Sequence, residues 1–348
     1  MTAEAAAGAA EAERGEVVLY TLGGTIAMAG QHDAVGGSGG GSVVARLGGE
    51  QLAASVPGLA QSGTALRIED LGRAPSADLT FQQVIELLET AGRAVRDGAA
   101  GAVVTQGTDT LEETAFLADL LWPHPEPLVF TGAMRNPTLA GADGPANLLA
   151  AIRAAAAPQA RGLGVLVAFN DELHAARWVR KTHATSTATF VSPEAGPIGR
   201  FEEDRLRLLG MPRRSEPLPV PEAGRLAAVR VALHTAVLDE TGDELDAIAE
   251  RYQGLVLSAF GVGHVTSRLV PALSELAARI PVILCSRTGA GPVLRHTYGA
   301  AGAEIDLQRR GLINGGLLHP YKARVLLRLL LAGGASDEQV AAAFAEHG

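Results

Sequence analysis

Short apolar runs alternate along the chain with longer segments whose apolar residues recur at helical spacing. The runs have the length of strands and lack regular polar positions, which predicts strands buried on both faces, as in a mainly parallel sheet. Helices between such strands indicate an α/β fold. In the first part of the chain the predicted strands are GEVVLYTL, TALRIEDL, GAVVTQG, PLVFTGA and GLGVLVAFN, and the clearest predicted helices are TFQQVIELLETAGRAVRDG and DGPANLLAAIRAAAA.

The alternation stops between residues 201 and 225, where prolines and charges gather, and it resumes with AAVRVALH, GLVLSAFG and PVILCSR. Such a break is typical of a boundary between domains. We therefore predict a flexible N-terminal extension over 1–15, a larger N-terminal, mainly parallel-sheet α/β domain over 16–205, a linker over 206–225 and a smaller C-terminal α/β domain over 226–348. In such folds the functional groups gather at the carboxyl ends of the strands.

The chain has 348 residues and a formal net charge of −9, with acidic and basic residues mixed along it. This balance argues against a nucleic-acid partner and favours a protein that handles small molecules. Its one cysteine, Cys285, excludes a disulfide bond within the chain and is typical of a reducing compartment. The N-terminal residues lack the positive charge of a signal peptide, and the apolar stretches are too short for a membrane span. We therefore expect a cytoplasmic protein with no membrane partner.

Three segments carry hydroxyl groups beside charged groups. The first predicted strand runs into two glycines and Thr25, the third meets a loop with Thr108 and Asp109, and ARWVRKTHATSTATF holds Lys181 among threonines. A threonine hydroxyl is a weak nucleophile that needs a base and a dry, preorganised site. A second threonine paired with a desolvated lysine can move the proton, because burial lowers the pKa of a lysine. An ionised aspartate can bind an ammonium group of the substrate. Together these segments indicate nucleophilic catalysis by Thr25.

Each segment also has a purely structural interpretation, which its residues leave open. Two glycines and a threonine can form a turn followed by a helix N-cap. Thr110 and Glu113 fit a capping box that opens the helix LEETAFLADLLW, and Lys181 can be an ordinary solvated lysine. The sequence has no spacing typical of a cluster of metal ligands, and no phosphate-binding or dinucleotide-binding glycine pattern follows Thr25. We therefore predict no metal and no cofactor.

Taken together, these segments resemble the bacterial-type L-asparaginase family, the threonine-dependent asparaginase/glutaminase amidohydrolases. LGGTIAM is similar to that family's first signature, and VVTQGTDTLEETAFLADL is similar to its second. Further blocks follow in the family's order, namely VFTGAMRNPTLAGADGPANLLAAI, VLVAFNDELHAARWVRKTHATSTATF and HPYKARVLLRLLL. The likeness runs from Val17 to beyond Leu331, nearly the whole chain.

The resemblance implies a role for each candidate residue. Thr25 matches the family's acylated nucleophile, and Thr108 matches its second catalytic threonine. Asp109 matches the ligand of the substrate ammonium group, and Lys181 matches the catalytic lysine. Ser76, in APSADLT, matches the serine that binds the substrate α-carboxylate.

The chain also departs from the family's pattern near the substrate. The resemblance implies substrate contacts at Gly24 and at His264, where the family commonly has an asparagine and where a histidine can change its charge near neutral pH. The loop AGQHDAVGGSGGGSVV lacks the family's tyrosine, and Tyr298 is a candidate to replace it, the alternative being a packed tyrosine with a structural role. Ala77 stands where many members have a glutamine, so the preference between asparagine and glutamine stays open.

The implied reaction is hydrolysis of L-asparagine to L-aspartate and ammonia through a threonyl acyl-enzyme, without a cofactor. The implied assembly is a homo-oligomer, a dimer of close dimers.

A glutaminase-asparaginase or a related side-chain amidase is the nearest alternative to an asparaginase. A non-catalytic amino-acid sensor on the same fold is favoured by the missing tyrosine but not by the retained nucleophile and lysine. A subunit of an aminoacyl-tRNA amidotransferase is disfavoured, because the extra N-terminal domain is absent and the charge is acidic.

Overall fold

The computed structural model describes residues 15–30, 43–45, 48–59, 62–203, 205–245 and 247–348. Most of the predicted N-terminal extension and most of the glycine-rich loop lie outside the described residues. The chain divides into two compact units, Met1–Arg214 and Ser215–Gly348. The division falls inside the segment that the sequence predicts as a linker.

The first unit is built on an eight-stranded sheet in the order β4-β1-β5-β6-β7-β8-β11-β12. The strands from β4 to β7 are parallel, and β8, β11 and β12 continue the sheet in antiparallel pairs. Their bounds are β1 Val17–Thr21, β4 Leu66–Asp70, β5 Gly101–Thr105, β6 Leu128–Thr131, β7 Val165–Phe169, β8 Glu172–Ala175, β11 Gly199–Glu202 and β12 Arg205–Leu208. The last strand extends past residue 205, where the sequence placed the end of the first domain.

The predicted burial on both faces holds for four of the five predicted strands. All residues of β1, β5, β6 and β7 are buried. The prediction is wrong for β4, none of whose residues is buried. The reason is its position, because β4 lies at the edge of the sheet and, among the described strands, pairs with β1 alone.

Helices cover this sheet and give the first unit its core. Helix α4, Gly144–Ala156, packs on β5, β6 and β7, and α1, Gly49–Ala54, packs on β1 and β4. Leu148, Ile152 and Leu52 join the alternate strand residues, such as Leu19 and Val103, in one apolar cluster. Helices α2, Phe81–Arg96, and α3, Leu111–Leu121, pack against each other and against the strands β5 to β7. A rigid parallel sheet therefore supports the turns at its carboxyl edge.

Two short ribbons stand apart from the large sheet, and the sequence predicted neither. Strand β2, Met28–Gly30, pairs with β3, Val43–Ala45. Strand β9, Arg180–Lys181, pairs in antiparallel fashion with β10, Phe190–Val191. Strands of two or three residues leave almost no periodicity to recognise, so the sequence pattern cannot distinguish them from a loop.

The second unit contains a parallel sheet in the order β13-β14-β15-β16. The strands are β13 Val231–Thr235, β14 Gly254–Ala259, β15 Val282–Ser286 and β16 Ile313–Asn314. The accompanying helices are α5 Ala223–Ala228, α6 Ile248–Arg251, α7 Val270–Ala277, α8 Glu304–Arg309, α9 Pro320–Gly333 and α10 Asp337–His347. The segment AAVRVALH is thus only partly a strand, since its first residues close α5. Within the described part of the chain, no helix combines the length and the apolar character needed to cross a membrane.

Candidate active site

The turn after β1 carries Thr25, which opens a single 3-10 turn over Thr25–Ala27. Gly23 and Gly24 precede it with φ angles of 93° and 91°, which residues with a side chain rarely adopt. A Cβ atom on Gly24 would lie only 2.2 Å from the backbone nitrogen of Gly107, in the turn after β5. The two turns therefore touch through their backbones, and Thr25 follows directly after this contact.

Asp70, at the end of the edge strand β4, fixes the end of β1. Its Oδ1 accepts a hydrogen bond from the Thr21 hydroxyl at 2.5 Å and another from the backbone N–H of Gly49 at 2.9 Å. These bonds favour the ionised form, so the Thr21 hydroxyl, together with the Gly49 N–H, holds the pKa of Asp70 below its ordinary value. The strand that leads to Thr25 is thus anchored at its last residue.

The turn after β5 is anchored by a wholly buried glutamine, Gln106. Its side-chain oxygen accepts a hydrogen bond from the Thr114 hydroxyl at 2.9 Å, and its side-chain nitrogen donates to the carbonyl of Gly107 at 3.2 Å. Thr114 lies on α3, so the helix and the turn are joined through this side chain. The arrangement gives Thr108, itself buried, a fixed backbone.

Lys181 meets the turn after β5 from the β9–β10 ribbon. Its Nζ donates to the Thr108 hydroxyl at 2.9 Å and lies 2.9 Å from Oδ1 of Asp109. The lysine side chain is 17% exposed, whereas that of Asp109 is 71% exposed. Three of the residues that the sequence selected therefore form one connected group, with the lysine in its protected part.

Ser76 lies against the same turn. Its hydroxyl oxygen accepts a hydrogen bond from the backbone N–H of Asp109 at 3.2 Å, and the side chain is buried. A Cβ atom on Gly107 would lie 2.7 Å from this hydroxyl oxygen, so only glycine fits there without displacing the serine. Ser76 thus joins the Thr108–Asp109–Lys181 group, as a residue at a shared binding site must.

The capping box predicted for Thr110 is wrong. Thr110 is the N-cap residue of α3, but its side chain makes no capping hydrogen bond. Its hydroxyl donates instead to the carbonyl oxygen of Ser76 at 2.8 Å. The competing partner is available because the Ser76 turn packs on this segment, and that tertiary contact cannot be read from the local pattern.

Sequence reasoning missed Glu112, the second residue of α3. Its Oε2 accepts a hydrogen bond from the backbone N–H of Lys181 at 2.9 Å, and the residue is only 5% exposed. The available signal was a carboxylate at a helical position that is otherwise buried. Helix amphipathicity alone cannot separate it from its neighbour Glu113, because both stand in the acidic first turn.

His264 belongs to the second unit. Its Nε2 lies 3.1 Å from Oε2 of Glu304, and its ring packs edge-on against that of Tyr298 with the centroids 5.1 Å apart. Glu304, also missed by sequence reasoning, accepts hydrogen bonds from the backbone N–H groups of Tyr298 at 2.6 Å and Thr297 at 3.0 Å. His264 and the half-exposed Tyr298 therefore share one buried carboxylate.

The Glu304 carboxylate is expected to make the free energy of unfolding depend on pH. Burial raises the pKa of Glu304, but the hydrogen bonds from backbone N–H groups and from His264 lower it more, so the net value lies below the ordinary 4.5. The ionised form therefore stabilises the folded state above pH 4.5, and this contribution is lost as the pH falls from there through the lowered value.

We expect Glu304→Gln to lower the free energy of unfolding by about 1–3 kcal/mol at pH 7. The reason is that a neutral amide accepts hydrogen bonds from the backbone N–H groups of Thr297 and Tyr298 more weakly than a carboxylate does. The measurement is urea unfolding of both proteins between pH 7 and pH 3. The difference between them should shrink below pH 4.5. A difference that stays constant over this range would contradict the assignment.

The fold and the site define a class: α/β proteins of two units in which threonine, aspartate, serine and lysine side chains gather beside the parallel strands of the first sheet. Among the residues with assigned positions, no group of three or more His, Cys, Asp or Glu side chains could hold a metal ion.

Comparison with known proteins places the chain within this class. Residues 16–214 match the family model "Asparaginase, N-terminal", and residues 230–344 match "Glutaminase/Asparaginase C-terminal domain". The chain therefore belongs to the asparaginase family.

Individual relatives agree with this assignment. A probable L-asparaginase of Deinococcus radiodurans is 38% identical over 78% of this chain and 83% of its own length. A glutaminase-asparaginase of Pseudomonas fluorescens is 32% identical over 95% of this chain and 90% of its own. The crystal structure of a probable cytoplasmic L-asparaginase from Campylobacter jejuni superposes with a TM-score of 0.81, at 27% identity, over 95% of this chain and 99% of that one. Both predicted α/β units, the larger N-terminal and the smaller C-terminal, are confirmed.

Proposed function

We propose that this protein is a hydrolase of linear amides that converts L-asparagine to L-aspartate and ammonia through an ester on Thr25. Membership of the asparaginase family supports the reaction class. The observation that carries the residue assignment is the hydrogen bond of 2.9 Å between Lys181 Nζ and the Thr108 hydroxyl, in a turn that contacts the glycine before Thr25.

In the first half of the reaction, Oγ of Thr25 attacks the side-chain carbonyl carbon of asparagine. The carbon–nitrogen bond then breaks, and the proton of the Thr25 hydroxyl leaves with the nitrogen as ammonia. Backbone N–H groups, among them that of Thr108, stabilise the negative oxygen of the tetrahedral intermediate. One such donor contributes on the order of 3 kcal/mol to transition-state binding.

In the second half, water attacks the ester carbon, returns one proton to Thr25 and releases aspartate. The Thr108 hydroxyl takes a proton from the attacking water while Lys181 takes the hydroxyl's own proton, and this proton passes to the Thr25 oxygen as the ester bond breaks. The direct contact between Lys181 and Thr108 supports this relay, because proton transfer requires hydrogen-bond distance.

The remaining residues of the site bind the amino-acid part of the substrate. We assign the α-ammonium group to Asp109, whose side chain is largely exposed and is paired with Lys181. The α-carboxylate is assigned to Ser76, and a backbone contact to Gly24. From the family resemblance alone, His264 is also assigned to the substrate ammonium group.

Hydrolysis of L-glutamine is the second candidate activity. The extensive similarity to the glutaminase-asparaginase of Pseudomonas fluorescens favours it, and Ala77, which is exposed, offers no side-chain hydrogen bond that would select the shorter amide. We further propose a homo-oligomer, a dimer of dimers, from the family resemblance. A cytoplasmic location is supported by the description of the Campylobacter jejuni protein as cytoplasmic.

The deciding experiment measures ammonia release by the purified protein from L-asparagine, L-glutamine and their D-isomers. We expect the largest kcat/KM for L-asparagine. Binding of asparagine that raises the melting temperature without any ammonia release would instead identify an amino-acid sensor. A larger kcat/KM for L-glutamine than for L-asparagine would make glutamine hydrolysis the main activity. Light scattering that gives the mass of one subunit would contradict the proposed assembly.

A further inference from the structure

We propose that Glu112 is a positioning residue that sets the location of the Lys181 amine by holding the backbone of Lys181. The effect of this role on catalysis rests on the proposed function. Its effect on the position of the amine does not, because the accessibility of the amine can be measured without any substrate.

The side chain of Lys181 is held at both ends by one short segment of the chain. At its far end, Nζ contacts Thr108 and Asp109 at 2.9 Å each. At its near end, the backbone N–H donates to Oε2 of Glu112, also at 2.9 Å. Residues 108–112 therefore fix both the origin and the tip of the lysine, so its direction is defined by a single rigid turn at the start of α3.

The β9–β10 ribbon cannot provide this support itself. The N–H of Thr182 donates to the carbonyl of Thr189 on the neighbouring chain segment at 2.9 Å. In an antiparallel pair successive N–H groups point to opposite edges, so the N–H of Lys181 points away from β10. Among the strands that the structure describes, β9 pairs with β10 alone, and none of them lies against this outer edge. Glu112 supplies the acceptor there.

The rest of the ribbon is held independently of Glu112. Phe190, which is opposite Lys181 in the register, is buried and packs on Phe169 with ring centroids 4.6 Å apart. Ser192 follows β10 and contacts Nδ1 of the buried His174 at 3.0 Å. Loss of Glu112 should therefore release β9 locally and leave the ribbon attached to the unit.

The first test compares Glu112→Ala with Glu112→Gln, which keeps an acceptor oxygen but removes the charge. With L-asparagine, we expect kcat of Glu112→Ala to fall about 10- to 100-fold with KM changed less than about twofold, because a displacement near 1 Å suffices for such a loss. Glu112→Gln should restore kcat to within about threefold of the native value. Glu113→Ala, which removes a carboxylate from the same helical turn, is the matched control and should retain native kcat.

The second test needs no catalysis. Trace acetylation of the purified full-length protein by acetic anhydride, with peptide mass spectrometry, gives the reactivity of each lysine. We expect Lys181 to be acetylated several-fold faster in Glu112→Ala, because its amine loses the protection of Thr108 and Asp109. The rate should be native in Glu112→Gln and in Glu113→Ala. If Glu112→Ala does not fold, Glu112→Asp, whose carboxylate is one methylene further from the N–H, replaces it.

The outcomes separate this inference from the proposed function. Unchanged Lys181 reactivity in Glu112→Ala overturns the inference, whether or not ammonia is released. Equal losses in Glu112→Gln and Glu112→Ala also overturn it, since they would assign the effect to charge rather than to the hydrogen bond. If the variants show the expected pattern of Lys181 reactivity but the native protein releases no ammonia, the positioning role is upheld and the proposed function is overturned.

Discussion

Replacing Thr25 by alanine is expected to lower kcat for asparagine by about 10⁴-fold or more, because removal of a nucleophile leaves only binding and oxyanion stabilisation. The substrate should still bind, since Ser76 and Asp109 are unaffected. Thr25→Ser keeps a hydroxyl at the same position and is the matched control, with activity well above that of the alanine variant. The measurement is ammonia release under substrate saturation, together with the melting temperature of each variant.

The same variants test the covalent step directly. Acid quenching of the native protein during turnover, followed by mass spectrometry, should show an aspartyl mass added to the peptide that contains Thr25. The adduct should be absent from Thr25→Ala. Ammonia release by Thr25→Ala near the native rate, or an adduct on another residue, would contradict the assigned nucleophile.

Replacing Lys181 by methionine should lower kcat by about 10²- to 10⁴-fold, the range of general acid–base catalysis. Methionine keeps much of the apolar stem but has no amine to exchange a proton with Thr108. The fold should survive, because the ion pair with the largely exposed Asp109 contributes no more than about 1 kcal/mol. The measurement is kcat from pH 5 to pH 10 beside the urea midpoint of each protein.

Lys181→Arg separates proton transfer from simple charge. Arginine keeps a cation beside Asp109 but does not lose its proton in this pH range. We expect the arginine variant to be as impaired as the methionine variant, with kcat nearly independent of pH. An arginine variant with native kcat would show that only the positive charge is needed, and the proposed relay through Thr108 would then be wrong.

The sequence predicts the fold and much of the first-unit site for an identifiable reason. Parallel strands end at one edge of a sheet, so turns that follow separate strands meet there even though they are far apart in the chain. Thr108 and Asp109 could therefore be grouped with the turn at Thr25. Lys181 was grouped with them as a lysine among threonines that could move a proton, and the resemblance then matched it to the family's catalytic lysine. The structure places its amine in direct contact with Thr108 and Asp109.

What the sequence did not reveal depends on contacts between distant segments. In the sequence, Glu112 cannot be distinguished from an ordinary helix residue. Only the structure shows that its carboxylate accepts a hydrogen bond from the backbone N–H of Lys181. The sequence predicts a capping box at Thr110, but in the structure its hydroxyl donates to the carbonyl oxygen of Ser76. Glu304 likewise gains its meaning only from His264 and from the backbone at Tyr298. In each case a contact between distant segments, which the local sequence pattern does not contain, determines the partner of the side chain.

The bare backbone contact between Gly24 and Gly107 has a consequence for protein engineering. A methyl group at position 24 would meet main-chain atoms of residues 106 and 107, which cannot rotate away as a side chain can. The two turns would have to separate, and Thr25, which directly follows the contact, would move away from the turn that carries Thr108. Libraries that aim at a new amide specificity should hold both glycines constant and diversify the solvent-facing position 77 instead.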